Sequence, residues 1–326
     1  MTNNWMNFLL TLVILFVDAT LAQNGADTSA GINSLVVIRP RSMSVDFWTA
    51  ERMKAAKEPV AVPSVNNMNI GRTVAIPSGP SVTVPGRKPD ASSPLGRVLN
   101  TRGLHVATTG RVFWSCSSNS LSCCSASVVP STSGDVIVTA GHCVYDTTAL
   151  KWLINCNWIF VPAYYNGTAP YGRWPARQVA ALNSWTQSNP NFNYDVAFVA
   201  LSLVNGKHIN QLTGSQSLGF NYPRNRPTYA FGYPVNLAKG EVLQLCTGTP
   251  SASRYTANSY VGQGLSNCYM TGGCSGGPWL QSFNESTGSG VTYSVNSFTY
   301  SLAPNTMNGP VFDSNIQTLW NYMTAR

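Results

Sequence analysis

Charge is scarce in this sequence. Asp, Glu, Lys and Arg together make up 10% of its 326 residues. A helical cytosolic protein carries far more, whereas a β-rich secreted one, with Ser, Thr, Asn and Gly in quantity, has this composition. Acidic groups are fewest: 12 Asp+Glu stand against 20 Lys+Arg, a formal net charge of +8. The excess is not clustered. Residues 23–102 hold 10 basic and 5 acidic groups (+5), residues 103–326 hold 10 and 6 (+4), and Asp18 removes one unit. No basic run is interleaved with aromatics, so no nucleic-acid partner is expected. There is no C-x-x-C, and only one of the three histidines, His142, adjoins a cysteine, so no metal site is expected. No segment beyond residue 17 is apolar for long enough to cross a membrane. No repeat of solenoid length is visible.

What is present begins with Phe-Leu-Leu-Thr-Leu-Val-Ile-Leu-Phe-Val at residues 8–17. This run is too short to span a bilayer, and Thr20-Leu21-Ala22 offers small residues to signal peptidase. Residues 1–22 are therefore expected to be a signal peptide, the alternative being an uncleaved anchor. The eight cysteines, at 116, 123, 124, 143, 156, 246, 268 and 274, all follow residue 110. An even number behind a signal peptide reads as disulfides formed in an oxidising compartment. Two sequons, Asn166-Gly-Thr168 and Asn284-Glu-Ser286, are glycosylation acceptors if the source is eukaryotic.

Residues 23–102 form a segment of a different kind. They contain no cysteine, and Pro and Gly punctuate them from Pro59 to Pro94. Ser44 to Lys57 reads as one helix capped by Ser44, with Phe47, Trp48 and Met53 on its apolar side. The remainder reads as extended or without order. We expect a pro-segment, with Arg87-Lys88, Arg97 and Arg102 as cleavage points; a flexible linker is the alternative. From Gly110 onward short apolar runs alternate with turn residues. The strands predicted are Arg111–Ser115, Ser125–Val129, Val136–Ala140, Trp158–Pro162, Val196–Leu203, Thr228–Tyr233, Glu241–Gly248, Trp279–Gln281, Val291–Phe298 and Gly309–Phe312. Their spacing predicts an all-β barrel or sandwich. At the end, Asp313-Ser314-Asn315 caps a helix whose Ile316, Leu319, Trp320 and Met323 share one face.

Three local motifs carry chemistry. Gly272-Gly273-Cys274-Ser275-Gly276-Gly277-Pro278 sets a serine among glycines. Such a turn can bring the N–H groups of Gly273 and Ser275 to one point beside the hydroxyl, as an oxyanion hole requires. Thr139-Ala140-Gly141-His142-Cys143 supplies a histidine, and Tyr194-Asp195-Val196-Ala197 an aspartate ahead of an apolar strand. A serine hydroxyl needs a base, His142 can serve as one, and Asp195 can hold the imidazole in the correct tautomer. Singly, each has a plain structural reading: a turn serine, a core histidine, a strand-end aspartate. Jointly and in the order His, Asp, Ser they point to catalysis. His105 and His208 stand in no motif and are expected to be surface or structural.

These motifs resemble those of the chymotrypsin-like (trypsin-fold) serine endopeptidases, and most nearly the secreted microbial branch that includes the glutamyl endopeptidases. The resemblance runs from about Gly110 to the C-terminus. It implies two antiparallel six-stranded β-barrels, about 103–215 and about 216–326, and a C-terminal α-helix. It implies a disulfide between Cys124 and Cys143 and, as second choice, one between Cys246 and Cys268. Cys116, Cys123, Cys156 and Cys274 stay open. Pancreatic relatives place an aspartate before the nucleophile to receive a liberated amine; Cys274 stands there, so activation works otherwise. The position that carries a charge for basic substrates is Tyr269. The pocket strand, Ser297-Phe298-Thr299, lacks the histidine of the glutamate-preferring enzymes. With Thr271 these residues describe a polar, uncharged pocket, or simply strand residues.

The function implied is a secreted serine endopeptidase, made as a preproprotein and acting as a monomer on protein or peptide substrates. It would need no cofactor or metal. The alternative is an inactive homologue that serves as a binding or adhesion module. A lipase or esterase of the G-x-S-x-G kind is excluded, because those place both triad partners after the serine.

Overall fold

The apolar runs at residues 136–139 and 197–201 are covered on both faces. They form strands β6 (Val136–Thr139) and β11 (Ala197–Leu201), antiparallel with Ala197 opposite Thr139. Ile137 and Val199 enter one core with Val112, Ala126, Phe160 and Val179. Val138 and Phe198 belong to a second core that includes the C-terminal helix. A strand buried on both faces need not alternate, which explains the unbroken runs.

The computed structural model describes residues 24–27, 31–36, 41–59, 79–90, 106–117 and 120–326. The signal peptide expected over residues 1–22 lies outside these, as do Arg97, Arg102 and His105. Strands β4 (Thr109–Trp114), β5 (Ser122–Val128), β9 (Ile159–Pro162) and β10 (Trp174–Leu182) join β6 and β11 in a ring. The order is β10-β11-β6-β5-β4-β9, and Phe160 opposite Trp174 closes β9 onto β10. This is one closed, six-stranded antiparallel barrel. Beyond the closure, Gln178–Leu182 of β10 pairs with β2 (Ile32–Val36), which in turn pairs with β1 (Asn24–Asp27).

The second half does not close, and the expectation of two barrels is corrected here. One open sheet runs β14 (Gln244–Gly248), β13 (Thr228–Gly232), β17 (Pro278–Asn284), β18 (Ser289–Val295), β12 (Ser217–Phe220), β3 (Val82–Val84). A separate sheet runs β15 (Ser251–Ala252), β16 (Gln263–Ser266), β20 (Ala303–Gly309), β19 (Phe298–Tyr300). The physical reason is local. Strand β18 stops at Val295 because Asn296 gives its N–H to Gly277 O (2.9 Å) and takes Gly276 N–H (2.7 Å). Pro250, between β14 and β15, has no N–H to continue a ladder. A disulfide spans the seam instead, from Cys246 on β14 to Cys268 beyond β16, with Leu265, Met270, Trp279 and Tyr293 packed around it. Disulfides also join Cys124 to Cys143 and Cys116 to Cys156, while Cys123 and Cys274 are buried thiols. A short hairpin, β7 (Tyr145–Asp146) and β8 (Lys151–Trp152), follows His142.

The upstream helix is broken in two. Helices α1 (Arg41–Phe47) and α2 (Ala50–Ala55) flank Trp48 and Thr49, and the cap is Thr49, whose side chain accepts from Arg52 N, rather than Ser44. Trp48 forces the break. It is fully buried against Phe113 and donates Nε1–H to Asn157 O at 2.6 Å. A helix α3 (Ile209–Thr213) precedes β12, and α4 (Ser314–Met323) ends the chain. Asp313 caps α4 by accepting from Asn315 and Ile316 N–H, and Ile316, Leu319 and Met323 are buried. Both sequon asparagines, Asn166 and Asn284, are exposed.

Candidate active site

Each site residue lies just off the end of a strand, where the backbone leaves the ladder. His142 sits in a tight turn, Gly141–Cys143, directly after β6. Asp195 follows another turn, Phe192–Tyr194, and leads into β11. Because β6 and β11 are neighbours, their ends bring the two side chains together. His142 Nδ1 lies 2.9 Å from Asp195 Oδ2, and His142 N–H donates to Asp195 Oδ1 at 2.9 Å. A third donor is Ser297 Oγ, 2.5 Å from Oδ2. Asp195 is wholly buried, and these three bonds take the place of the water it lacks. With Nδ1 committed to a carboxylate, the neutral imidazole carries its proton there, leaving Nε2 with a lone pair. That nitrogen is buried and has no hydrogen-bond partner among the described residues.

Ser275 belongs to the loop that crosses from the second half onto the barrel. Its carbonyl accepts Ser125 N–H from β5 at 2.8 Å and lies 3.7 Å from the Cys143 sulfur. Gly276 packs on Thr139 and Ser125, at φ +80°, where a Cβ would overlap Thr139 Oγ1. No other residue lets the loop approach the histidine turn so closely. Gly273 has φ +92°. Neither Gly273 N–H nor Ser275 N–H donates to a described residue. The disulfide Cys124–Cys143 ties β5 to the histidine turn, so Ser275 and His142 rest on one bonded unit. Cys124, His142 and Cys143 are grouped within 4.8 Å, as metal ligands would be. Both sulfurs are in the disulfide, however, and offer no thiolate.

Beside Ser275 opens a cavity of about 320 Å³, lined by Thr271, Gly272, Ser297, Phe298, Thr299 and Met307. Four of the five side chains read as a pocket are thus gathered here, with Ser297 also serving Asp195. Tyr269 is not: it is 55% exposed, and its carbonyl accepts from Asn236 Nδ2. Two further lining residues, Glu58 and Pro59, come from the upstream segment. Lys57 pairs with β5, giving its N–H to Leu121 O (2.9 Å) and taking Cys123 N–H (2.8 Å). The chain then turns into the cavity, where a Cβ on Gly272 would overlap the Glu58 carboxylate. The segment is held from below. Arg111, fully buried and paired with Glu241 at 2.9 Å, donates Nη2–H to Ala56 O at 3.4 Å. Sequence reasoning had no signal for Glu58, nor for the bond from Ser297 to Asp195, because both partnerships cross from one part of the chain to another. His208, the other described histidine, bonds Asp135 at 2.8 Å beside α3.

Residues 124–288 match the trypsin-like peptidase domain, a span that includes His142, Asp195 and Ser275. The chain belongs to that family. It is a chymotrypsin-like serine peptidase, with the His142–Asp195 pair such an enzyme requires. Among solved structures it resembles the protease Anisep from Arthrobacter nicotinovorans, at 36% identity and TM-score 0.62, over 69% of this chain and 98% of that one. It also resembles AL20, a thermostable serine protease from an extremophilic microorganism, at 33% identity and TM-score 0.59, over 67% and 97%. No curated protein matches the chain. The matched domain ends before Asn296 and Ser297, so two residues that support this peptidase's site lie beyond it.

Proposed function

We propose that this peptidase is a secreted endopeptidase of the microbial branch, made as a preproprotein and held inactive by its own upstream segment. The observation that carries the catalytic reading is His142 Nε2. It is a buried nitrogen with a lone pair and no partner among the described residues, on a ring oriented by Asp195, beside the Ser275 loop. His142 takes the Ser275 proton as the hydroxyl attacks the substrate carbonyl. The N–H groups of Gly273 and Ser275 receive the oxyanion. His142 then returns the proton to the leaving amine, and water hydrolyses the acyl-enzyme by the same route. Substrates are proteins or peptides, and the enzyme acts as a monomer. The pocket of Thr271, Ser297, Phe298, Thr299 and Met307 favours an uncharged side chain at the cleaved bond.

In the domain organisation we propose, residues 1–22 direct secretion, residues 23–102 form the pro-segment, and residues 103–326 are the peptidase. Glu58 and Pro59 line the pocket that a substrate would fill, which supports inhibition in cis. Cleavage near Arg97 or Arg102 precedes release. A fluorophosphonate probe tests the whole reading. Labelling should occur at Ser275, rapidly in the processed enzyme and slowly in the unprocessed chain. An unprocessed chain labelled as fast as the processed one removes the inhibitory role. No labelling in either form leaves the inactive binding module instead. N-terminal sequencing of the secreted protein checks the processing, and a mature form beginning at Gln23 removes it.

A further inference from the structure

The structure assigns to Asn296 a positioning role: its buried side-chain amide turns the Cys274–Ser275 peptide so that Ser275 N–H faces the oxyanion. This rests on the peptidase reading above and concerns how its oxyanion hole is kept in shape. A trans peptide points its C=O and N–H in opposite directions, so whatever holds the carbonyl also aims the amide hydrogen. The described chain has no cis peptide. Of the two peptides that supply the hole, the first, Gly272–Gly273, has its carbonyl on Val235 N–H at 2.8 Å. The second, Cys274–Ser275, has its carbonyl on Asn296 Nδ2 at 3.0 Å and on Gly277 N–H at 3.0 Å. The intervening carbonyl, of Gly273, is held by Ser125 Oγ at 2.9 Å. Both hole-forming N–H groups therefore point away from the groups that hold their carbonyls, and neither is spent on a described residue.

The orientation of the Asn296 amide is not free. Trp279 Nε1, which can only donate, lies 2.7 Å from one amide atom, so that atom is Oδ1. The other is Nδ2, and its two hydrogens go to Cys274 O and to Phe231 O at 2.8 Å. Asn296 is wholly buried, and its backbone bonds Gly276 and Gly277 as well. The residue before the nucleophile, Cys274, contributes no charge. It is a buried thiol whose ionisation burial disfavours. A neutral amide from the next strand end thus does the holding, and no liberated amino terminus is needed for it.

The test compares the active wild-type enzyme, prepared from the full chain, with Asn296→Ala. With a chromogenic peptide, kcat is expected to fall about 100-fold, as for loss of one hole donor, with KM within about threefold. A peptide boronic acid, whose tetrahedral adduct uses the hole, should weaken in step with kcat. The cleaved product peptide, which does not use it, should bind as before. If Asn296→Ala does not melt cooperatively, Trp279→Phe is read in the same way, because it keeps the amide but removes the donor that orients it. A drop in kcat of about threefold or more with unchanged product binding is then expected. Either folded variant turning over at the wild-type rate overturns the inference, as does equal weakening of boronate and product. A wild-type enzyme that hydrolyses no peptide and leaves Ser275 unlabelled removes the peptidase reading, and this inference with it.

Discussion

Asp195 accepts from His142 N, His142 Nδ1 and Ser297 Oγ while wholly buried. Its place is secured by three donors from two points of the chain, His142 and Ser297, and each bond to the carboxylate is worth more than a neutral one. Ser297→Ala should lower the unfolding free energy by about 1.5–3 kcal/mol, read from urea melts, because a hydrogen bond to a buried charge is lost. At the reacting end, Ser275→Ala should abolish peptidase activity, by roughly 10⁴-fold or more, while circular dichroism stays unchanged. Near wild-type turnover by that variant would refute the assignment. The free thiols behave differently from the nucleophile. Burial pushes both Cys123 and Cys274 up, against the opposing Arg111 charge in the case of Cys123. Neither should react with iodoacetamide in the folded protein at neutral pH, and mass spectrometry would detect a single adduct.

Among the elements, α2 and the four residues after it carry the inhibition proposed above. Trp48, Met53 and Ala56 are buried against Phe113, Ile159, Val161, Tyr164 and Tyr233, so the segment is docked by a core of its own. Trp48→Ala should remove about 3–5 kcal/mol of that docking. The consequence expected is faster fluorophosphonate labelling of the unprocessed chain, since Glu58 and Pro59 would leave the pocket more often. Labelling at the parent rate would mean that the docked helix does not restrain them. At the other terminus, Asp313 satisfies two of the free N–H groups of α4. Asp313→Ala should cost about 1 kcal/mol, seen as a fall in Tm of about 2–4 °C.

For the whole molecule, the two halves differ in how they close. The barrel is shut by β9 on β10, so none of its six strands presents a free edge inward. The second half is two sheets joined by the Cys246–Cys268 disulfide and a shared core. Replacing both cysteines by serine removes a cross-link over a separation of 22 residues, worth about 3 kcal/mol in the chain-entropy account. Hydrogen exchange should then quicken in β14, β16 and β20 before β6 or β11. Uniform quickening of both halves would mean that the seam is not the weak point.

The sequence by itself determined the chemistry and the class of fold. Glycines at 273 and 276, the histidine turn after an apolar strand and the aspartate before another are local patterns, and each demands its residues for reasons acting over a few bonds. Likewise Asp313, Ile316, Leu319 and Met323 specify α4 without help from elsewhere. Other features only the tertiary structure decided. The second barrel failed because Asn296 bonds the nucleophile loop instead of extending β18. Strand β10 went unread because its residues are buried or half-buried without alternation: β9 covers its start and β2 its end. The upstream helix divided at Trp48 because its indole finds Phe113 and Asn157. Glu58 in the pocket and Ser297 on Asp195 join residues separated by about a hundred positions or more, and Asn296 reaches the oxyanion loop across the β17–β18 hairpin. Such partnerships follow from where strand ends are brought together in space, and no periodicity or local motif records them.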